Sequence, residues 1–279
     1  MNRLWVRIAL DRLVVGLIAV CVTIAAIPVV ILFVFVLIKG LPGMLTPGFF
    51  TDTPHPIGVP GGGVVNAIVG TLIIVGLASA FAVPFGTMIG IFLSEYGRNQ
   101  LGNAVRFISD VLTGLPSIAF GIFGYTVLVA TVGHFSALSA SLALGVLMLP
   151  VILRATETAL VLVPGSLREA GLALGAPRWR VTLEIIVPAA LGGIVTGALL
   201  SMARAAGETA PLLFTALGND FFSTNPLRPM GALALTVFHN ALSPYPNLQD
   251  QAWAAALLLV MLVAVTNILA RIYVRRIQH

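Results

Sequence analysis

Arg204 and Glu208 stand four residues apart in ARAAGETAPLLFTALG, Ala203 to Gly218, inside an otherwise apolar stretch. On a helix that spacing puts both on one face and lets them pair. An unpaired charge at such a position in a bilayer costs about 2.5–3.5 kcal/mol. Two chemistries fit the pair. One is a structural ion pair that fixes helix packing. The other is an arginine that attracts an anion along a pathway, restrained by the carboxylate, with Thr209 next in the chain. Pro116-Ser117 is a second candidate for pathway backbone, because a proline inside a span frees a carbonyl that a neighbour or cavity water must satisfy. Simple kinking is the alternative there. Other chemistries are missing from the sequence. There is no GxxxxGK[ST], GxSxG, HExxH or paired-carboxylate cluster, and the lone Lys39 stands in KGLPG. One cysteine, Cys21, excludes an intramolecular disulfide and any CxxC motif. His55, His134, His239 and His279 show no ligand spacing. The chain is therefore read as a non-enzyme with no metal and no cofactor of its own.

The elements that must position these residues follow from composition. Of 279 residues, 58% are hydrophobic and 9% charged, with mean hydropathy +1.04. A soluble domain carries about 25% charge, so a lipid bilayer is the solvent this surface suits. A spanning helix needs about 20 apolar residues. Arg12 and Lys39 bracket 26 uncharged positions, the first span. Its apolar run is far longer than a cleaved signal core of about 7–15 residues. Leu41 to Gly63 is too rich in Pro and Gly for a helix, and Val64 to about Ser94 is the second span. Asp110 and Arg154 bracket 43 residues interrupted at Val132-Gly133-His134, which gives the third and fourth spans and a tight hairpin. Glu184 to Arg204 is the fifth, running on to about Leu217, and Asp250 to Arg271 the sixth. The fold class is all-α integral membrane with six transmembrane helices.

Arginine sets the orientation. With the N-terminus inside, Arg3, Arg7, Arg12, Arg98, Arg106, Arg154, Arg168, Arg178, Arg180, Arg271, Arg275 and Arg276 all lie inside, 12 of the 15 basic residues. Lys39 and Arg228 lie outside, and Arg204 within a span. Both termini are thus cytoplasmic, and the +5 net charge reflects topology rather than nucleic-acid binding. Residues 1–60 form a first helix and an extended outer loop; residues 61–279 form a body of five further spans. Residues 217–250 make a second long outer connection, within which Gly231 to Leu242 suits an interfacial or re-entrant helix. Gly86 with Gly90, and Gly193 with Gly197, place small residues one turn apart for close helix approach.

The long inner connection reads PGSLREAGLALGAPRWR, Pro164 to Arg180. Ser166 stands three residues before Glu169, the spacing of a capping box. Gly175 falls where a left-handed stop belongs, and Pro177 blocks continuation. A helix of about two turns therefore lies outside the bilayer. It is either an interfacial filler or a docking knob for a cytoplasmic partner. Trp179, between Arg178 and Arg180, is an interfacial anchor by default.

Glu169-Ala170-Gly171, then Gly175, then Ile185-Ile186-Val187-Pro188 resembles the EAA motif of ABC-importer permeases, with Gly171 for the commoner alanine and Val187 for leucine. The family seats this helix in a groove on its ATP-binding subunit. The resemblance implies that Ser166, Glu169, Ala170, Gly171, Gly175, Arg178 and Trp179, in a coupling loop of about 164–182, engage that subunit. RAAGETAPLLFTA further resembles the phosphate-specific transport permeases, in their A-type rather than C-type subunit. GGGVVNAIVGTL (Gly61 to Leu72) and LTGLPSIAFGIFGY (Leu112 to Tyr125) agree with that family. The resemblance implies the type I ABC-importer (MetI-like) fold in a bacterial plasma membrane and ATP-driven import of inorganic phosphate. Arg204, Glu208, Thr209, Pro116 and Ser117 would line its path. The implied partners are a homologous second permease, two ATP-binding subunits that carry ATP and Mg, and an external phosphate-binding protein landing on residues 40–63 and 217–250. Another oxyanion, such as molybdate or sulfate, and a proton-coupled secondary carrier are the alternatives.

Overall fold

The computed structural model describes residues 2–56, 59 and 61–277. Ile57, Gly58 and Pro60 of the expected outer loop, and His279, lie outside the described residues, as do the side chains of Arg3, Arg271, Arg275 and Arg276. Among the described residues ten helices follow in order: α1 (Asn2–Met44), α2 (Val65–Glu95), α3 (Gln100–Gly114), α4 (Ser117–Val132), α5 (Ala137–Val161), α6 (Gly165–Ala173), α7 (Arg178–Gly207), α8 (Ala210–Thr215), α9 (Leu233–Ala241) and α10 (Pro246–Ile277). Two of them contain a π-helical turn, Tyr125–Val129 in α4 and Thr182–Ile186 in α7. Among the described residues five helices are long and apolar enough to cross a membrane, and the bent pair α3–α4 makes a sixth crossing if counted as one span.

The packing is organised around α5. Gly86 and Gly90 of α2 face Ile152 and Thr156 on α5, while Gly193 and Gly197 of α7 face Ala159 and Ala155. Both small-residue pairs thus let α5 be clasped between α2 and α7 at backbone-limited distance. The main core joins Ile74, Ala78 and Ala82 of α2 to Leu144, Met148 and Ile152 of α5, with Ala205 of α7 and Leu212 of α8. By contrast α1 is almost wholly exposed from Leu10 onward, so lipid is its solvent. It touches the bundle through α10, where Phe35 meets the Trp253 ring edge-on at 5.2 Å and Gly40 lies against Leu257.

Three boundaries differ from the sequence reading. The first helix continues through Pro42 to Met44 instead of ending near Lys39. The third span is not one helix: α3 and α4 meet at 103° around Leu115-Pro116. α3 begins at Asn99, whose side chain accepts from the Gly102 N–H at 2.8 Å. The fifth span stops at Gly207 and does not run to Leu217, because Pro211 has no N–H to bond the Gly207 carbonyl and its ring crowds that carbonyl. The hairpin at Gly133 (φ +82°) and the helix within 231–242 agree with expectation.

Candidate functional site

The α6 end of the bundle is built as a projecting knob. α6 starts after Pro164 with no side-chain cap, so Ser166 lies inside its first turn and the expected Ser166–Glu169 capping box does not form. Its other end agrees with the sequence. The Gly175 N–H donates to the Leu172 carbonyl at 2.9 Å and the Ala176 N–H to the Gly171 carbonyl at 3.3 Å, with Gly175 at φ +80°. This Schellman closure satisfies carbonyls that a helix end otherwise leaves open. Gly171 is buried: a Cβ there would lie 2.9 Å from Val181 Cγ2 and 3.0 Å from Ile185 Cδ1, which explains why glycine replaces alanine at that motif position. Ser166, Glu169, Ala170, Arg178 and Trp179 are exposed, and Leu174 is 88% exposed. Arg180 pairs with Glu184 at 3.3 Å and lies 5.5 Å from the Trp179 ring centroid, whereas Arg178 makes no ion pair among the described residues.

Behind the knob lies a rim of ion pairs that sequence reasoning missed. Arg106 of α3 donates to Glu157 of α5 at 2.7 Å and to the carbonyls of Leu93 and Gly97, both at 2.8 Å. Arg154 donates to Glu157 at 3.0 Å and to Asp110. Arg168 of α6 donates to Glu95 at 2.8 Å and to the carbonyls of Leu160 at 2.8 Å and Val163 at 3.0 Å. Arg106 and Glu157 are 51 residues apart and Arg168 and Glu95 are 73 apart, so no local pattern announces those two pairs, whereas Arg154 and Glu157 stand three apart on α5.

The candidate pathway residues occupy two helix breaks. Arg204 lies in the last turn of α7, and Glu208 follows the break in extended backbone (φ −74°, ψ +125°). Arg204 Nε and Glu208 Oε1 are 3.4 Å apart, a long contact, with the arginine side chain 54% exposed and the carboxylate 17%. Neither Nη group of Arg204 has a hydrogen-bond partner among the described residues. Guanidinium offers five N–H donors, so most of this fork is free for an oxyanion. Thr209 precedes α8, and its carbonyl accepts from the Leu213 N–H at 3.1 Å. Pro116 and Ser117 open α4 at the other break. The two broken spans meet: a Cβ at Gly121 of α4 would lie 2.9 Å from the Ala210 carbonyl and 3.0 Å from Phe214 of α8. Irregular backbone at membrane depth survives only inside protein or beside a water-filled cavity, and helix breaks of this sort are where carriers hold substrate.

At the end opposite α6, a cavity of about 470 Å³ lies among Asn219, Asp220, Thr236, His239, Asn240 and Gln251. No group of three or more His, Cys, Asp or Glu that could hold a metal occurs among the described residues.

Residues 82–279 match the family model described as "Binding-protein-dependent transport system inner membrane component". The chain is 46% identical over 242 residues to the phosphate transport system permease protein PstA of Yersinia pestis, covering 86% of this chain and 82% of that protein. It is 38% identical to the PstA of Haemophilus influenzae, covering 98% and 93%. Among solved structures, the inward-facing MetNI methionine ABC transporter aligns with TM-score 0.65 at 22% identity, over 77% of this chain and 95% of that one. That likeness bears on the fold.

Proposed function

The chain belongs to the binding-protein-dependent transport permeases and, within them, to the phosphate transport permeases of the PstA type, and from that premise we propose that it carries inorganic phosphate inward through the bacterial plasma (inner) membrane. It does so as one of two homologous permeases. Two ATP-binding subunits on the cytoplasmic side hold ATP and Mg, and this chain hydrolyses nothing itself. An external phosphate-binding protein lands on residues 40–63 and 217–250. Both termini face the cytoplasm, in keeping with the arginine bias.

The observation that carries this reading is Arg204, whose guanidinium is held at one edge by Glu208 and leaves both Nη groups open. A planar fork matches two oxygens of phosphate. One arginine partly neutralised by a carboxylate suits a passing anion, because conduction needs release as much as entry. α6 and the start of α7 support the cytoplasmic half: Ser166, Glu169 and Ala170 on α6 and Arg178 and Trp179 on α7 are all exposed, as a knob for the ATP-binding subunit requires. Gly171 and Gly175 set the knob's packing and its end. Thr209, Pro116 and Ser117 line the path at the two breaks.

The test is uptake of radiolabelled phosphate by cells that lack their own high-affinity uptake and express this chain with its partner subunits. Phosphate accumulation that unlabelled sulfate and molybdate fail to compete is the expected result. Competition by either makes the substrate another oxyanion, and uptake that survives removal of the ATP-binding subunits makes the chain a secondary carrier.

A further inference from the structure

The ends of α2 and α5 are cross-tied by two arginines acting in opposite senses. Arg106 covers the Leu93 carbonyl in the last turn of α2 and the Gly97 carbonyl just beyond it, and pairs with Glu157 of α5. Arg168 covers the Leu160 carbonyl at the end of α5 and the adjoining Val163 carbonyl, and pairs with Glu95 at the end of α2. Each cation also meets the negative end of a helix dipole. The helices it joins are already locked, since a Cβ at Gly90 would fall 2.6 Å from Thr156 Cβ and 2.7 Å from the Leu153 carbonyl. Close-packed interfaces of this sort transmit displacement rather than absorb it.

The two arginines differ in where they start. Arg106 belongs to α3. Arg168 belongs to α6, the helix the functional reading assigns to the ATP-binding subunit. Among the described residues, every hydrogen bond from an α6 side chain to α2 or to the end of α5 comes from Arg168. Its guanidinium is anchored at three points, Glu95, Leu160 and Val163, and its side chain is 26% exposed against 13% for Glu95. The remaining packing of α6 is apolar, through Gly171 against Val181 and Ile185 at the start of α7. The connections on either side, at Pro164 and at Gly175 to Pro177, are non-helical.

We propose that Arg168 is the strut that delivers movement of α6 to the locked α2–α5 pair, a positioning residue for transport that acts through Glu95 and the α5 carbonyls. With the strut, a push on α6 displaces α2 and α5 as one body. Without it, α6 pivots on its two connections, and ATP is hydrolysed with little substrate moved. The inference rests on the phosphate-permease reading only in naming what pushes α6.

The experiment uses the assembled complex in proteoliposomes, comparing Arg168→Met, Arg168→Lys and Glu95→Gln with the unaltered chain. Met keeps the apolar stem and removes the fork; Lys keeps charge at one point. Phosphate imported per ATP hydrolysed falls roughly tenfold in Arg168→Met, the scale of losing charged hydrogen bonds, and less in Arg168→Lys and Glu95→Gln. The ATP-binding subunits co-purify as before. An unchanged ratio in Arg168→Met overturns the proposal, and so does a ratio lost together with co-purification, which makes Arg168 an assembly residue. A second readout needs no substrate. In a Cys21→Ser background, spin labels at the exposed positions Met88 on α2, Val161 on α5 and Leu174 near α6 report distances. The Met88–Leu174 distribution broadens in Arg168→Met and in Glu95→Gln while Met88–Val161 stays narrow. Equal widths in both variants overturn the strut even if the complex proves to carry a different anion, whereas failure of the unaltered complex to import phosphate overturns only the functional reading.

Discussion

Gly90 of α2 and Thr156 of α5 are in such close contact that one added methyl at Gly90 would lie 2.6 Å from Thr156 Cβ. The Leu153 carbonyl, 2.7 Å from the same point, leaves that methyl no retreat. Gly90→Ala is therefore expected to destabilise the bundle by about 1–3 kcal/mol, the usual cost of overpacking. Gly76, on the same helix, has nothing within 4 Å of an added Cβ. Gly76→Ala should be neutral or stabilising by about 0.5–1 kcal/mol, since alanine has the better helix propensity. Unfolding midpoints of the two purified variants in detergent check the pair. Equal midpoints would show that the approach of α2 to α5 is not the constraint.

Arg106 and Glu157 make a second stability prediction. Arg106→Met strips the Leu93 carbonyl of α2 and the Gly97 carbonyl just beyond it of their donor and leaves Glu157, 12% exposed, with Arg154 alone. A loss of about 1–3 kcal/mol follows from orphaning part-buried groups. Adding Glu157→Gln should cost less in the Arg106→Met background than alone, because contacting residues do not act additively. A double-mutant cycle on unfolding free energy measures this, and simple additivity would remove the pair from the account.

Gly175 is fixed by backbone and not by space. Its φ is +80°, yet nothing lies within 4 Å of a Cβ built there. Gly175→Asn should thus preserve the stop after α6, since asparagine tolerates the left-handed region, while β-branched Gly175→Val should not. Transport-coupled ATP hydrolysis is expected to persist in the first and fall in the second, with both chains inserted in the membrane. Equal activity of the two would mean that the Schellman turn does not position the knob.

Orientation gives the fourth prediction. In a Cys21→Ser background, cysteine at Leu174, 88% exposed beside α6, should react with membrane-impermeant maleimide only after cells are opened. Labelling of intact cells would invert the topology drawn from arginine.

What the sequence disclosed and what it withheld divide by the range of the forces involved. Spans, the hairpin at Gly133 and the stop at Gly175 were legible because uncharged runs, glycine and proline act locally. The 103° turn at Leu115-Pro116 was not, because a proline within a span more often kinks it. The local signal for α3 is Asn99 at its start, and what ties α3 to the end of α2 is Arg106, through the Leu93 carbonyl. The end of the fifth span at Gly207 has a local sign in Pro211, four residues on, but the apolar pattern runs unbroken past it. The Arg106 and Arg168 ties join residues 51 and 73 apart, where only the folded chain brings the charges together.

Arg204 poses the sharpest functional test. If it only pairs with Glu208 to hold α7, Arg204→Gln should lower membrane abundance, and the swap Arg204→Glu with Glu208→Arg should restore both abundance and transport. The structure gives reason to expect otherwise. The contact is long at 3.4 Å and holds only one edge of a guanidinium whose side chain is 54% exposed. Moreover the two positions are not equivalent: Arg204 is helical, while Glu208 lies beyond the helix end in extended backbone. The swap therefore moves the positive charge past the break, by about one turn or 5–6 Å along the axis if the helix had continued. Arg204→Gln should show near-normal abundance with phosphate uptake largely lost, and the swapped chain should not recover uptake. Membrane abundance and radiolabelled phosphate uptake, measured in the same cells, separate the two accounts, and full transport by the swapped chain would remove Arg204 from the path of the anion.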